Sequence, residues 1–119
     1  MLTCLGKFLR TFRIQRGELL KDMADKLSLA PAYLSSIENG KRLPTKSFIQ
    51  NIIGQYDLDE KMKRDLMDAY RMSLDEISFS TKTATEDQKM MGIAFARKFD
   101  HLSENQIQEI QKILTEVKD

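Results

Sequence analysis

The chain has 119 residues, of which 31% are charged and 41% hydrophobic, enough for one small domain with an appendage. It contains one cysteine and one histidine, so no internal disulfide, no zinc-ligand set and no catalytic Cys-His pair or triad can be assembled. No apolar run approaches the ~20 residues of a membrane span. We expect a non-enzymatic protein of the reducing cytoplasm, without a metal or cofactor.

The net charge of +1 conceals an uneven distribution along the chain. Residues 1–56 hold nine Lys or Arg against four Asp or Glu, whereas residues 57–119 hold ten against fourteen. A basic amino-terminal half favours binding to a polyanion, and an acidic carboxy-terminal half would be repelled by the same partner. Residues 1–17 carry four basic residues and no acid, as a transit peptide would, but the spacing of Leu5, Leu9 and Phe12 favours a core-facing helix.

Apolar spacing predicts five helices in the first 72 residues. The first four are expected at about Thr3 to Arg16, Glu18 to Leu27, Pro31 to Glu38 and Thr45 to Gln55. Asp57 and Glu60 indicate a capping box for a fifth helix. Its apolar face consists of Leu58, Met62, Leu66 and Tyr70.

The segment from Met23 to Pro44 is the most informative part of the chain. It encodes two short helices around the turn 28–30, and Pro31 suits the start of the second helix because its missing N–H needs no partner there. The second helix ends at Asn39-Gly40, where a left-handed cap is least costly, and two basic residues follow at once. This is the outline of a helix-turn-helix that reads DNA.

These residues resemble the lambda-repressor-like (Xre) helix-turn-helix family over roughly residues 3–72. The similarity includes Leu5-Gly6, the run 13–17, Ala24 and, most specifically, Tyr33 to Pro44 with its Ser-x-x-Glu-Asn-Gly-Lys helix end. The resemblance implies a five-helix DNA-binding domain whose third helix lies in the major groove. It also implies an ion pair between Arg13 and Glu38 that links helix one to the end of helix three.

Three features depart from the family pattern. The family usually begins its second helix with a Thr or Ser cap and a Gln that binds phosphate, whereas this chain has Leu19 and Leu20. The usual glycine of the turn is Ser28, and the usual Ser or Thr cap of helix three is Ala30. The turn therefore lacks the residues that are most common at these two positions, and we expect lower local stability.

The candidate DNA contacts lie on helix three and in the loop after it. Ala32 offers a methyl group suited to thymine, and Ser36, where the resemblance places a base contact, can pair with several bases. Tyr33 is either a groove contact or an ordinary surface tyrosine. Because helix three has few long polar side chains, we expect DNA shape to contribute to recognition. The full predicted set is Pro31, Ala32, Tyr33 and Ser36 on the helix, with Lys41, Arg42 and Lys46 on phosphates.

The remaining residues predict a linker at 73–85 and a helical hairpin at 86–119. Ile77 and Phe79 alternate with serines, so a short strand is an alternative within the linker. The hairpin has apolar residues on more than one face, and Ser103 and Gln106 form a capping box for its last helix. Such a hairpin must pack on the binding domain or on a second copy. We predict a dimer interface of Met91, Phe95, Phe99, Ile110, Leu114 and Val117.

The sequence thus predicts an all-α protein with a DNA-binding domain at residues 1–72 and a dimerisation or partner-binding unit at residues 86–119. The preferred function is a homodimeric, sequence-specific repressor that binds double-stranded DNA in the cytoplasm, associated with the nucleoid. Two alternatives stay open. One is an antitoxin-like autoregulator whose carboxy-terminal unit binds a partner protein. The other is an interaction module that no longer binds DNA, favoured by Leu20 in place of glutamine.

Overall fold

In a computed structural model, which describes residues 1–119, all regular secondary structure is helical, as predicted, and no strand forms at Ile77 or Phe79. None of its helices combines the length and hydropathy that a membrane span requires. The chain divides into two units, residues 1–77 and 78–119. The helices are α1 (Cys4–Arg16), α2 (Leu20–Lys26), α3 (Pro31–Glu38), α4 (Lys46–Gln55), α5 (Glu60–Met72), α6 (Glu86–Lys98) and α7 (Glu104–Thr115), with a 3-10 turn (Phe99–His101) before α7.

The core of the first unit is apolar and draws on all five of its helices. Helix α1 is central, since it packs against α2, α3 and α5. The core positions have the helical spacing expected from the sequence, so each helix turns a single stripe inward. The fully buried large side chains are Leu5, Leu9, Met23, Leu27, Leu34, Ile37, Ile49, Ile52 and Leu66.

Three helices of the first unit end in the same backbone arrangement. A residue in the left-handed region follows α1, α2 and α3, namely Gly17 (φ 67°), Ser28 (φ 56°) and Gly40 (φ 75°). In each case the next N–H donates to a carbonyl five positions earlier, which is the Schellman motif. These bonds, 2.8 to 2.9 Å long, join Glu18 to Arg13, Leu29 to Ala24 and Lys41 to Ser36. The turn of the helix-turn-helix is the strained member, because residue 28 is not glycine.

The capping residue predicted for α5 was wrong. Asp59, not Asp57, is the N-cap, and its carboxylate accepts a hydrogen bond from the N–H of Met62 at 2.8 Å. The reason is the burial of Leu58, which keeps the chain extended between α4 and α5 and delays the start of the helix.

The second unit consists of α6, the 3-10 turn and α7, and none of these elements contains a buried residue. The predicted capping box of Ser103 and Gln106 is confirmed, and α6 begins at a second box, formed by Thr85 and Gln88. Large apolar side chains are exposed on both helices. They are Met90, Met91, Ile93, Phe95, Ile107, Ile113 and Leu114, with Phe99 and Val117 just beyond the helix ends.

Candidate nucleic-acid interface

Helix α3, the predicted recognition helix, has one buried side and one side open to solvent. Leu34 and Ile37 are buried in the core, whereas Pro31 and Ala32 are exposed at the start of the helix. Ala30 precedes them in extended geometry, as expected of a residue before proline. Tyr33 and Ser36 are half-buried at the edge of the exposed side. The four helix residues predicted to contact DNA therefore remain accessible in part or in full.

The carboxy-terminal end of α3 is attached to α1 through Glu38. The carboxylate of Glu38 forms a two-point ion pair with the guanidinium of Arg13, whose Nη2 lies 3.0 Å from Oε1, and the residues are only 5% (Arg13) and 3% (Glu38) exposed. The carbonyl oxygen of Glu38 also accepts hydrogen bonds from the N–H and the hydroxyl of Thr3, at 3.0 and 3.3 Å. Glu38 thus fixes α3 to α1 through both its side chain and its backbone.

The loop after α3 presents positive charge in a defined backbone conformation. The N–H groups of Lys41 and Arg42 both donate to the carbonyl of Ser36, at 2.9 and 3.2 Å. Lys41, Arg42 and Lys46 are exposed and make no ion pair. Uncompensated cations beside an exposed helix face are suited to phosphate oxygens.

Two contacts near this loop were not anticipated from the sequence. The guanidinium carbon of Arg42 lies 5.4 Å from the ring centre of Tyr33, within the range of a cation–π interaction. The hydroxyl of Ser36 donates to the carbonyl of Tyr33 at 2.7 Å. The oxygen of Ser36 retains its lone pairs in this geometry, so it can still accept a hydrogen bond from a base.

The start of α2 differs from the family pattern in structure as well as in sequence. Leu19 is the N-cap, and its side chain has no atom that can accept a hydrogen bond. Only half of a capping box is formed, because the carboxylate of Asp22 accepts the N–H of Leu19 at 2.8 Å. Leu20, which stands in place of the phosphate-binding glutamine, is half-buried against the core and cannot bind a phosphate oxygen. The start of α2 therefore lacks the side-chain contact to phosphate that the family pattern provides there.

A second polar cluster, also not anticipated, surrounds Glu18. Its carboxylate accepts hydrogen bonds from the hydroxyl of Tyr56 at 2.7 Å and from Arg16 and Lys26 at 3.1 Å. Burial acts to raise the pKa of Glu18, but these three donors together hold it below its ordinary value of 4.5. Burial and the bond to Glu18 raise the pKa of Tyr56. Glu18 and Tyr56 are far apart in sequence, and no local pattern pairs them.

The acids of residues 1–56 are thus largely engaged within the fold. Glu38 is paired in the core, Glu18 is surrounded by donors, and Asp22 binds the backbone of Leu19. Several basic side chains of this half have no carboxylate partner, so a positive surface remains. They are Lys7, Arg10, Lys21, Lys41, Arg42 and Lys46. No group of three His, Cys, Asp or Glu side chains is placed to hold a metal ion.

Comparison with known proteins identifies the first unit. A family model described as a helix-turn-helix domain matches residues 5–66, slightly more than half of the chain. No curated protein and no solved structure matches. The matched region contains the recognition helix, the residues that attach it to α1 and the basic loop. The chain therefore belongs to the helix-turn-helix domain family, which is typical of DNA-binding regulators.

Proposed function

We propose that the protein is a sequence-specific transcriptional repressor of the Xre type, which occupies double-stranded DNA as a homodimer with α3 in the major groove. The observation that carries this proposal is the combination of an exposed α3 face with an unpaired basic loop held at its end. A helix placed in the major groove brings its amino-terminal side chains to base edges and the flanking loop to phosphates.

The base contacts in this proposal are few and short. Ala32 packs against a thymine methyl group, and the hydroxyl oxygen of Ser36 accepts a hydrogen bond from a base amino group. Lys41, Arg42 and Lys46 neutralise phosphates and fix the register without reading sequence. Direct readout is consequently modest, and the sequence-dependent width and stiffness of the duplex supply part of the specificity.

Homodimerisation is supported by the exposed apolar side chains of the second unit. Met91, Leu114 and Val117 are 67%, 63% and 67% exposed. Residues 91, 95 and 99 recur at intervals of four, as one face of a helix requires. Two copies joined through these residues and through Ile110, Leu114 and Val117 present two recognition helices to half-sites about one turn, ~10 bp, apart. Their binding energies then combine.

A charge placed among the exposed apolar residues of α7 tests the dimer. Leu114→Glu should convert the full chain from a dimer to a monomer at micromolar concentration, as measured by light scattering. Gln108→Glu is the matched control, because residue 108 is exposed on the opposite side of α7 and should leave the dimer intact. In gel shifts the Leu114→Glu protein should lose orders of magnitude of operator affinity. A monomeric wild-type chain would contradict the proposal.

One observation favours an antitoxin-like autoregulator as the second candidate. Helix α6 has another exposed apolar pair, Met90 and Ile93, on a different side from Met91 and Phe95. One side suffices for a second copy, which leaves the other for a partner protein. A charge introduced on this second side of α6 distinguishes the two roles. If the side binds a partner protein, Met90→Glu should preserve the dimer and operator binding. If both sides serve self-association, Met90→Glu should disrupt the dimer.

A further inference from the structure

We infer that Tyr33 is a positioning residue for Arg42, and that its aromatic ring contributes to DNA affinity by holding the Arg42 guanidinium beside the recognition helix rather than by reading a base. This inference rests on the proposed DNA-binding function. It assigns to Tyr33 a role in phosphate binding that is independent of base sequence.

The Schellman motif at the end of α3 lacks its usual apolar side-chain contact, and the contact of Arg42 with Tyr33 lies beside it. In a Schellman motif an apolar contact usually joins the residue after the left-handed position to the last turn of the helix. Here the corresponding residues, Lys41 and Ser36, are both polar. The side-chain contact occurs one residue later, where the guanidinium of Arg42 lies over the ring of Tyr33 at 5.4 Å.

Tyr33 is a fixed platform for this contact. It packs against the hydrophobic core from α3, and its carbonyl oxygen accepts the hydroxyl of Ser36 at 2.7 Å. Arg42 is exposed and has no carboxylate partner that could hold it elsewhere. The ring of Tyr33 is therefore the side-chain group that restricts the position of the Arg42 guanidinium.

Stacking on a ring is compatible with binding phosphate. A guanidinium held over a ring by its face keeps N–H groups that point outward in its own plane and can donate to phosphate oxygens. A free arginine must lose side-chain entropy when it binds, and a guanidinium already held by a ring loses less. An exposed cation–π contact corresponds to about a twofold to fivefold change in affinity.

Four variants of the full-length protein test the inference on two duplexes, one selected by the protein from a random pool and one scrambled. Tyr33→Leu should weaken binding to both duplexes about twofold to fivefold. Tyr33→Phe keeps the ring and should retain the affinity that Tyr33→Leu loses. Arg42→Ala is measured alone and together with Tyr33→Leu, and the double variant should lose no more affinity than Arg42→Ala alone. The inference is overturned if Phe behaves like Leu, if the loss is confined to the selected duplex, or if the two losses add.

A measurement without DNA separates this inference from the proposed function. The Arg42 side-chain resonances of the labelled free protein should show a ring-current shift in the wild type and in Tyr33→Phe, and not in Tyr33→Leu. Equal melting temperatures would exclude unfolding as the cause. No ring-current shift would overturn the positioning of Arg42 even if the protein binds DNA. A ring-current shift in a wild-type protein that binds no duplex would overturn the role in DNA affinity together with the proposed function.

Discussion

Gly6 in α1 lies against the backbone of Glu38 at the end of the recognition helix, so closely that a Cβ at residue 6 would be 2.2 Å from the Glu38 carbonyl oxygen. The same carbonyl accepts two hydrogen bonds from Thr3, and the carboxylate pairs with Arg13. Contacts from Thr3, the N-cap of α1, and from Gly6 and Arg13 within α1 therefore converge on Glu38. The orientation of the recognition helix depends on how closely α1 can approach it.

Replacing Gly6 with alanine should destabilise the first unit by about 1–3 kcal/mol, because the obstructing atoms belong to backbone that cannot move aside cheaply. Urea unfolding followed by tyrosine fluorescence measures this, since the tyrosines, at positions 33, 56 and 70, all lie in the first unit. Gly54→Ala is the matched control. A Cβ there meets nothing within 4 Å, so alanine should stabilise α4 by about 0.5–1 kcal/mol. Unchanged stability in Gly6→Ala would contradict the close approach.

Ser28→Gly should stabilise the turn of the helix-turn-helix. The φ of 56° at Ser28 is strained for a residue with a side chain, and relief of that strain exceeds the entropy that glycine loses on folding. We expect a net gain of about 0.5–1 kcal/mol and a melting temperature about 2–8 °C higher. Ser28→Ala keeps the strain and should give no gain. If alanine stabilised as much as glycine, the serine hydroxyl rather than the backbone angle would be responsible.

The cluster around Glu18 predicts a specific pH dependence. Because the pKa of Glu18 is lowered in the fold, its ionised form stabilises the protein above its ordinary pKa of 4.5, and this contribution disappears as the pH falls through the lowered value. Glu18→Gln should cost about 1–2 kcal/mol at neutral pH, and its deficit against the wild type should shrink as the pH falls through the lowered pKa of Glu18. Tyr56→Phe removes one donor and should reproduce part of the deficit. A deficit that stays constant from pH 7 to pH 3 would contradict this role.

Much of the fold followed from local pattern. The bounds of α3 were predicted to the residue, because Pro31 and the Asn39-Gly40 pair define both ends without reference to the rest of the chain. The start of α5 was missed because the burial of Leu58, a tertiary effect, decides which of two aspartates becomes the cap. Helix periodicity predicts which residues of a helix face the core, but it does not predict the residue at which the helix begins.

The contacts of the candidate site were harder to predict from the sequence. The pairing of Arg13 with Glu38 was inferred from family resemblance, since the two residues lie on different helices and are 25 residues apart. The contact between Tyr33 and Arg42 depends on the left-handed Gly40, which turns the loop back toward α3. The cluster of Glu18 and Tyr56 joins segments 38 residues apart and has no sequence signature.

Selection of bound sites from random duplex DNA is the most direct test of the central claim that α3 of a homodimer reads the major groove. We expect an enriched sequence with two-fold symmetry and half-sites about one helical turn, ~10 bp, apart. With Ser36→Ala, the preference should change at one or two base pairs per half-site, by ~1–3 kcal/mol, while nonspecific affinity stays the same. No enrichment, or an enriched site whose base preferences are unaffected by Ser36→Ala, would contradict it.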